Sequence, residues 1–177
     1  MNVGATTETD YGDYLMWGST TPNTNTTCDW TNAPFNNGLD SYNEEYFTTH
    51  KSEWLDDNNN LKPEYDAARA IMGGVWRMPT KDEIQELLDN TAKKWTQVNG
   101  VDGYKFTGSN GNSIFIPAAG LRSNTSFHYQ GSFALIWSSS LNPSRPDRAW
   151  MLYSTSDLVY MNSRNHNLGF VVRGVFK

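Results

Sequence analysis

The side chains able to do covalent or metal chemistry are few, and their spacing decides what they can support. Cys28 stands alone in Thr26-Thr27-Cys28-Asp29-Trp30. A redox or metal role needs a partner thiol or histidine, and none is visible, so it reads as a buried or incidental thiol. His50, His128 and His166 are far apart and show no His-Glu-x-x-His spacing, so no zinc is expected. Asp56-Asp57-Asn58-Asn59-Asn60 offers oxygen ligands to calcium but lacks the spacing and closing Glu of an EF-hand; the alternative is a solvated loop. Glu44 and Glu45 are adjacent and would diverge in a strand, and no second acid completes a glycosidase pair. There is no Gly-x-Ser-x-Gly elbow and no glycine-rich phosphate loop. The expectation is a chain that is not an enzyme and takes no cofactor and no metal.

A second feature points to recognition. From Gly131 to Phe176 there is no Lys, Glu or Gln, although all three occur before Gly131. Ser, Asn, Arg, Tyr, Leu and His fill the stretch, with large side chains recurring in Trp150-Met151-Leu152-Tyr153-Ser154-Thr155. Period-two alternation places Trp150, Leu152 and Ser154 on a core face and Met151, Tyr153 and Thr155 outside. Leu158 and Tyr160 would lie near Tyr153, joined by Arg145, Arg148, Arg164 and His166. Tyr and Arg give large contact area at modest entropy cost and are enriched at binding hot spots. The alternative is that Tyr153, Leu158, Tyr160 and Phe170 are core.

The elements that must carry such a surface follow from length and pattern. The 177 residues suit one domain, and no apolar run is long enough to cross a bilayer, so no membrane insertion is expected. A formal charge of -5 and a pI near 5.1 argue against nucleic acid, which needs clustered Lys and Arg. With no disulfide, the core must come largely from seven Trp, nine Tyr and eight Phe. That aromatic content beside a mean hydropathy of -0.65 implies a loop-rich polar exterior on a dense centre. Residues 1 to 60 lack sustained periodicity and read as short strands and long loops, with Tyr11, Tyr14 and Trp17 packing inward. Pro63, then Glu64 and Asp66, then an alanine-rich run to Gly73-Gly74 predict a helix over 63 to 72. Thr80 and Glu83 form a capping box for a second helix to Asn90, its apolar face Ile84, Leu87 and Leu88. A hairpin of 104 to 107 with 113 to 116, then strands at 135 to 139, 150 to 155, 158 to 161 and 169 to 176, complete an α+β arrangement.

Several segments carry a family resemblance. Asn2-Val3-Gly4-Ala5, Asp10-Tyr11-Gly12-Asp13-Tyr14, Trp17-Gly18, Trp76-Arg77-Met78-Pro79-Thr80, Ile116-Pro117-Ala118-Ala119-Gly120, Trp137-Ser138-Ser139-Ser140 and Gly169-Phe170-Val171-Val172-Arg173 resemble C-type-lectin-like domains of gut-bacterial surface and phage proteins. That family shares its fold with formylglycine-generating enzymes. The resemblance runs nearly end to end and implies one C-type-lectin-like domain over 1 to 177, two helices flanking short antiparallel sheets with long loops. Members usually have more chain before the Asn-Val-Gly-Ala motif, so the first residues look truncated.

Within the family, the segment from Trp137 onward resembles the variable region of proteins diversified by retroelements. There, template adenines are replaced at random and Asn codons become any codon ending in a pyrimidine. Such codons cannot encode Lys, Glu, Gln, Met or Trp, which fits the missing Lys, Glu and Gln. The resemblance implies a variable ligand-binding region at about 135 to 170 comprising Arg145, Asp147, Arg148, Met151, Tyr153, Thr155, Leu158, Tyr160, Ser163, Arg164, His166, Leu168 and Phe170. Met151 departs from the codon rule, and Asn142, Asn162, Asn165 and Asn167 are either unmutated template positions or fixed. The implied function is noncatalytic recognition of a protein or glycan on another cell or host, by a chain at the cell surface, outside the cell or on a phage particle. No secretory signal is visible in Met1-Asn2-Val3-Gly4-Ala5, while abundant Asn, Ser and Thr suit an exported protein. The alternatives are an oxidase akin to the formylglycine-generating enzymes, which would need more cysteine near the C-terminal region or copper, and a structural module of a surface filament or phage fibre.

Overall fold

A computed structural model describes residues 1 to 176 and shows a small α+β protein with few helices and mostly antiparallel sheets. In chain order the elements are β1 (Tyr14–Leu15), α1 (Glu44–Trp54), a 3₁₀ turn (Pro63–Tyr65), α2 (Ala67–Met72) and α3 (Lys81–Asn90). Then come β2 (Ala92–Val98), β3 (Val101–Thr107), β4 (Ser113–Pro117), β5 (Leu121–Ser123) and β6 (Ser126–His128). The chain closes with β7 (Ala134–Leu141), β8 (Arg148–Ser154), β9 (Val159–Asn165) and β10 (Phe170–Val171). The main sheet runs β1-β10-β7-β8-β9, antiparallel except for the β10–β7 pair. β2-β3-β4 form a second sheet and β5-β6 a short hairpin.

The capping box forms as its spacing predicts. Thr80 Oγ1 accepts from the Glu83 amide at 3.2 Å and Glu83 Oε2 from the Thr80 amide at 2.9 Å. Arg77 adds two bonds to the same carboxylate, at 2.7 and 2.5 Å, and with Thr80 these hold the Glu83 carboxyl down at about 2. The helix expected over 63 to 72 is broken at Asp66. That buried carboxylate caps α2 by accepting from the Arg69 amide at 3.0 Å, and it also binds the Met78 amide at 2.8 Å. Serving two segments requires extended backbone at Asp66, with φ -89° and ψ 112°. The first 60 residues also hold a helix where loops were expected. α1 begins where Asn43 Oδ1 accepts from the Tyr46 amide at 3.1 Å, so Glu44 and Glu45 occupy a first helical turn and not a strand. At the C-terminus only Phe170–Val171 pair as a strand, the rest making single bridges such as Asn2 to Arg173 and Arg77 to Val175.

Both faces of the main sheet are covered. β7 is buried along its whole length, with Leu135, Trp137 and Leu141 packing toward Trp17, Phe47 and Trp54. Its alternate residues Ala134 and Ile136 pack toward Ile84, Leu88, Tyr104 and Ile116. The segments carrying the family resemblance converge on this strand. Val3 donates to Val172 O at 2.8 Å, Leu15 pairs with Phe170, Trp17 Nε1 donates to Ser138 O and Trp137 Nε1 to Leu15 O, both at 2.9 Å. Tyr14 Oη donates to Ala119 O, and the Ser139 amide to Pro79 O at 2.9 Å. These bonds join residues distant in the chain, all but the Ser139–Pro79 pair more than one hundred positions apart, into one frame.

Candidate functional site

The β8–β9 hairpin and the loop before β7 build the most distinctive surface of the molecule. Tyr153 and Tyr160 are cross-strand partners with ring centroids 5.2 Å apart. On the other side of Tyr153, Phe133 meets it edge-on at 5.4 Å, and Tyr129 stacks on Phe133 at 4.4 Å with the planes 9° apart. The result is an aromatic ladder from Tyr129 through Phe133 and Tyr153 to Tyr160. Arg164 pairs with Ala149 in the ladder of backbone partners, yet its guanidinium lies 5.9 Å from the Tyr153 ring. Its side chain therefore runs along the sheet past the Met151–Asn162 pair. Tyr129 and Leu158 are each 56% exposed and Tyr160 42%, while Tyr153, Phe133 and Arg164 are half-buried beneath them. Partial burial, with Tyr160 close by, raises the Tyr153 phenol above its ordinary value.

The surface is held from below. Thr155 Oγ1 accepts from the Asp157 and Leu158 amides at 3.3 and 3.2 Å, which fixes the turn and leaves Leu158 at its tip. Gly120 donates to Phe133 O at 2.8 Å and Gly131 to Ala118 O at 2.7 Å, so the Ile-Pro-Ala-Ala-Gly segment anchors the loop bearing Tyr129. Gly120 has φ +66°, and a Cβ there would sit 2.1 Å from His128 O, so no other residue fits this approach. Aromatic side chains with few rotatable bonds on such a base lose little entropy on binding.

The residues expected from the sequence divide into three groups. Tyr153, Thr155, Leu158, Tyr160 and Arg164 come together at the hairpin. Arg145, Asp147 and Arg148 form a charged cluster at the other end of β8, about 17 Å away by strand rise. Asp147 accepts from Arg145 Nε at 3.2 Å and Asn165 Nδ2 at 3.3 Å, with Arg148 Nε 3.6 Å off. Met151, Ser163, His166 and Phe170 lie in the interior, and Leu168 is half-buried against the same core.

Met151 was expected outside and is fully buried. The alternation argument assumed one solvated face, but Met151 packs toward Trp17 and Phe47 while Leu152 packs toward α3 and the second sheet. Trp150, expected in the core, is half-buried under the Lys81 ammonium, 4.6 Å from its ring. His166, expected at the surface, stacks on Trp17 at 4.6 Å beside Phe47 at 5.3 Å. Burial drives its imidazole down to about 3, so it is neutral inside the protein. Phe170 packs on Trp137 at 4.3 Å, and Ser163 Oγ accepts from Asn142 Nδ2 at 3.0 Å. Surface substitution at these four positions would instead change the core. Tyr129 and Phe133 were missed because the site was confined to residues after about 135. The signal was there: Phe127 and Tyr129 stand in a short polar stretch between Gly120 and Gly131.

The remaining chemical candidates are also placed. Cys28 is buried, its thiol pushed up to about 11, with its backbone bridged to Asn124. Asp56 Oδ1 accepts from the Asn58 and Asn60 amides at 2.9 and 2.8 Å, organising its loop by its own carboxylate. Among the described residues no three His, Cys, Asp or Glu side chains gather as a metal would need, and no helix is long and apolar enough to cross a membrane. No protein-family model, curated protein or solved structure matches the chain.

Proposed function

We propose that this chain is a noncatalytic ligand-binding domain of C-type-lectin-like fold, a retroelement-diversified variable protein that presents Tyr153, Leu158, Tyr160 and Arg164, flanked by Tyr129 and Phe133, to a protein or glycan. The partner sits on another cell or host, and the chain works outside the cell, at its surface or on a phage particle. One observation carries the reading. The segments that resemble the family form the hydrogen-bonded frame, while an aromatic and arginine ladder, all of it but Tyr129, projects from the stretch depleted of Lys, Glu and Gln. Exposed aromatics beside an arginine on a fixed backbone are the composition of binding hot spots.

The test uses the full chain against a glycan array and an array of purified bacterial surface proteins. Replacing Leu158, Tyr160 and Arg164 together with Ala removes the outward contacts of the hairpin, where a hot-spot residue is worth about 2 kcal/mol or more in typical interfaces, and spares Tyr153, which packs on the core. Binding should disappear while the melting temperature stays close to wild type. Unfolding of the triple variant, or retained binding, contradicts the reading. The flanking DNA tests diversification separately. A nearly identical template repeat and a reverse-transcriptase gene are expected beside this gene, and their absence leaves an ordinary binding domain.

A further inference from the structure

One edge of the main sheet is β9, and the hydrogen bonds at the two ends of the β8–β9 hairpin fix which way its peptide groups point. At the tip Thr155 N donates to Leu158 O at 2.8 Å, and at the base His166 N donates to Asp147 O at 3.2 Å. Bonded and unbonded pairs alternate along an antiparallel ladder, so between these ends the bonded pairs are Tyr153 with Tyr160, Met151 with Asn162 and Ala149 with Arg164. Val159, Met161, Ser163 and Asn165 therefore turn their N–H and C=O groups away from β8. Asn162 Oδ1 accepts from the Ser163 amide at 2.8 Å and Asn165 O from the Leu168 amide at 3.2 Å, which occupies the basal half of the edge. The backbone of Val159 and Met161 has no partner among the described residues, and this free half adjoins exposed Leu158 and Tyr160. Folded proteins normally blunt such an edge. Elsewhere this one does: β1 is two residues long, β2 carries exposed Lys93 and Lys94, and β4 ends at Pro117 with Phe115 O taken by Arg173 Nη1 at 3.0 Å. β9 runs for seven residues with no Lys, no Pro and no register shift against β8.

We propose that the ligand of the hairpin is a polypeptide, which lays an extended segment along Val159 and Met161 as an added strand. The inference rests on the hairpin being the binding surface, and it selects protein over glycan. Outward peptide groups on alternate residues recur about every 6.8 Å, each a donor beside an acceptor, and another strand carries the same repeat. Main-chain bonds to such an edge hold a partner, and its alternate side chains supply selectivity. Every second side chain of the added strand falls on the face of Tyr160, where that ring and Leu158 offer apolar contact. Arg164 is the only charged residue of β9 and takes part in no ion pair among the described residues. The segment therefore carries an acidic side chain on that face.

The probe is a phage-displayed library of random linear peptides, panned on the full chain. Peptides containing an acidic residue should be enriched, and Tyr160→Ala should abolish their capture. In a synthetic copy of the best binder, N-methylation of one set of alternate backbone amides should weaken binding by about tenfold or more, and the intervening set should have little effect. Lys in place of its acidic residue should weaken binding to a similar degree. Val159→Pro removes an outward N–H and no bond to β8, and should also weaken binding. If that variant does not fold, the N-methyl series still decides the matter. Failure to enrich any peptide, N-methyl effects without a two-residue period, or equal binding of the Lys peptide overturns the proposal. So does a dimer of the chain alone, seen by sedimentation and dissolved by Val159→Pro, which assigns the edge to a second copy. Glycan binding that Tyr160→Ala removes, with no peptide enriched, refutes the added strand and leaves the hairpin as the binding surface. Binding untouched by Tyr160→Ala refutes both.

Discussion

His166 makes the fold sensitive to mild acid in a way that one substitution should remove. Its ring is sealed among Trp17, Trp30, Tyr42 and Phe47, and Nε2 has no hydrogen-bond partner among the described residues. Desolvation lowers its pKa from 6.5 to about 3, against weaker opposing effects of a backbone bond to Arg148 and the charge of Asp147. In the unfolded chain His166 takes up a proton near its ordinary value, whereas in the folded chain it does not. Stability is therefore full above pH 6.5 and falls as pH drops toward 3, because the unfolded state binds the extra proton. Each pH unit in that window costs up to about 1.4 kcal/mol. Between pH 6.5 and 4.5, before most carboxylates titrate, the loss should be about 2–3 kcal/mol. Urea denaturation of wild type and His166→Gln at pH 7, 5.5 and 4.5 reads this directly. The variant should be less stable at pH 7 but nearly flat over the window relative to wild type. Asp13 and Asp66, whose raised pKa values act in the opposite direction, are common to both proteins and cancel in the comparison. Parallel slopes for the two proteins would refute the buried neutral imidazole.

Other outcomes follow from the same geometry. Glu83→Gln removes the charge that Arg77 pairs with while leaving an amide oxygen able to accept from the Thr80 amide, and should lower stability at pH 7 by about 1–2 kcal/mol by chemical denaturation, an effect lost as pH falls from 4.5 toward 2. Thr80→Ala should cost about 1 kcal/mol in the same assay. Met151→Ala should cost about 2–5 kcal/mol, as expected for a fully buried side chain, whereas exposed Leu158→Ala should stay within about 0.5 kcal/mol. Native Cys28 should react with a thiol reagent far more slowly than in denaturant, since burial holds the thiol protonated.

What could be read from the sequence depended on how local its cause was. The capping box of α3 and the β3–β4 hairpin were legible because a cap and a turn are set by residues a few positions apart. α1 was not, because its apolar side chains are aromatics spread among polar residues and its start rests on the single Asn43 side chain. β2 was hidden for a related reason: Ala92, Lys93 and Lys94 are exposed on an edge strand with little apolar pattern. At the site, Tyr160 and Leu158 were legible as exposed because β9 and its turn lie at the sheet margin. Met151 and His166 were not, since their burial depends on Trp17 and Phe47, more than one hundred residues earlier in the chain.

The central claim is that the exposed side chains of the hairpin, Leu158 and Tyr160, with Arg164 beside them, are free of any duty in folding and available for contact, while their neighbours in the same stretch, Tyr153 included, pack against the core. Two display libraries with random pyrimidine-ending codons measure this, one at Leu158, Tyr160 and Arg164 and one at Met151, Ser163, His166 and Phe170, each scored for protease resistance. The first library should keep most of its clones folded and the second should lose most of them. Comparable losses in both would contradict the account.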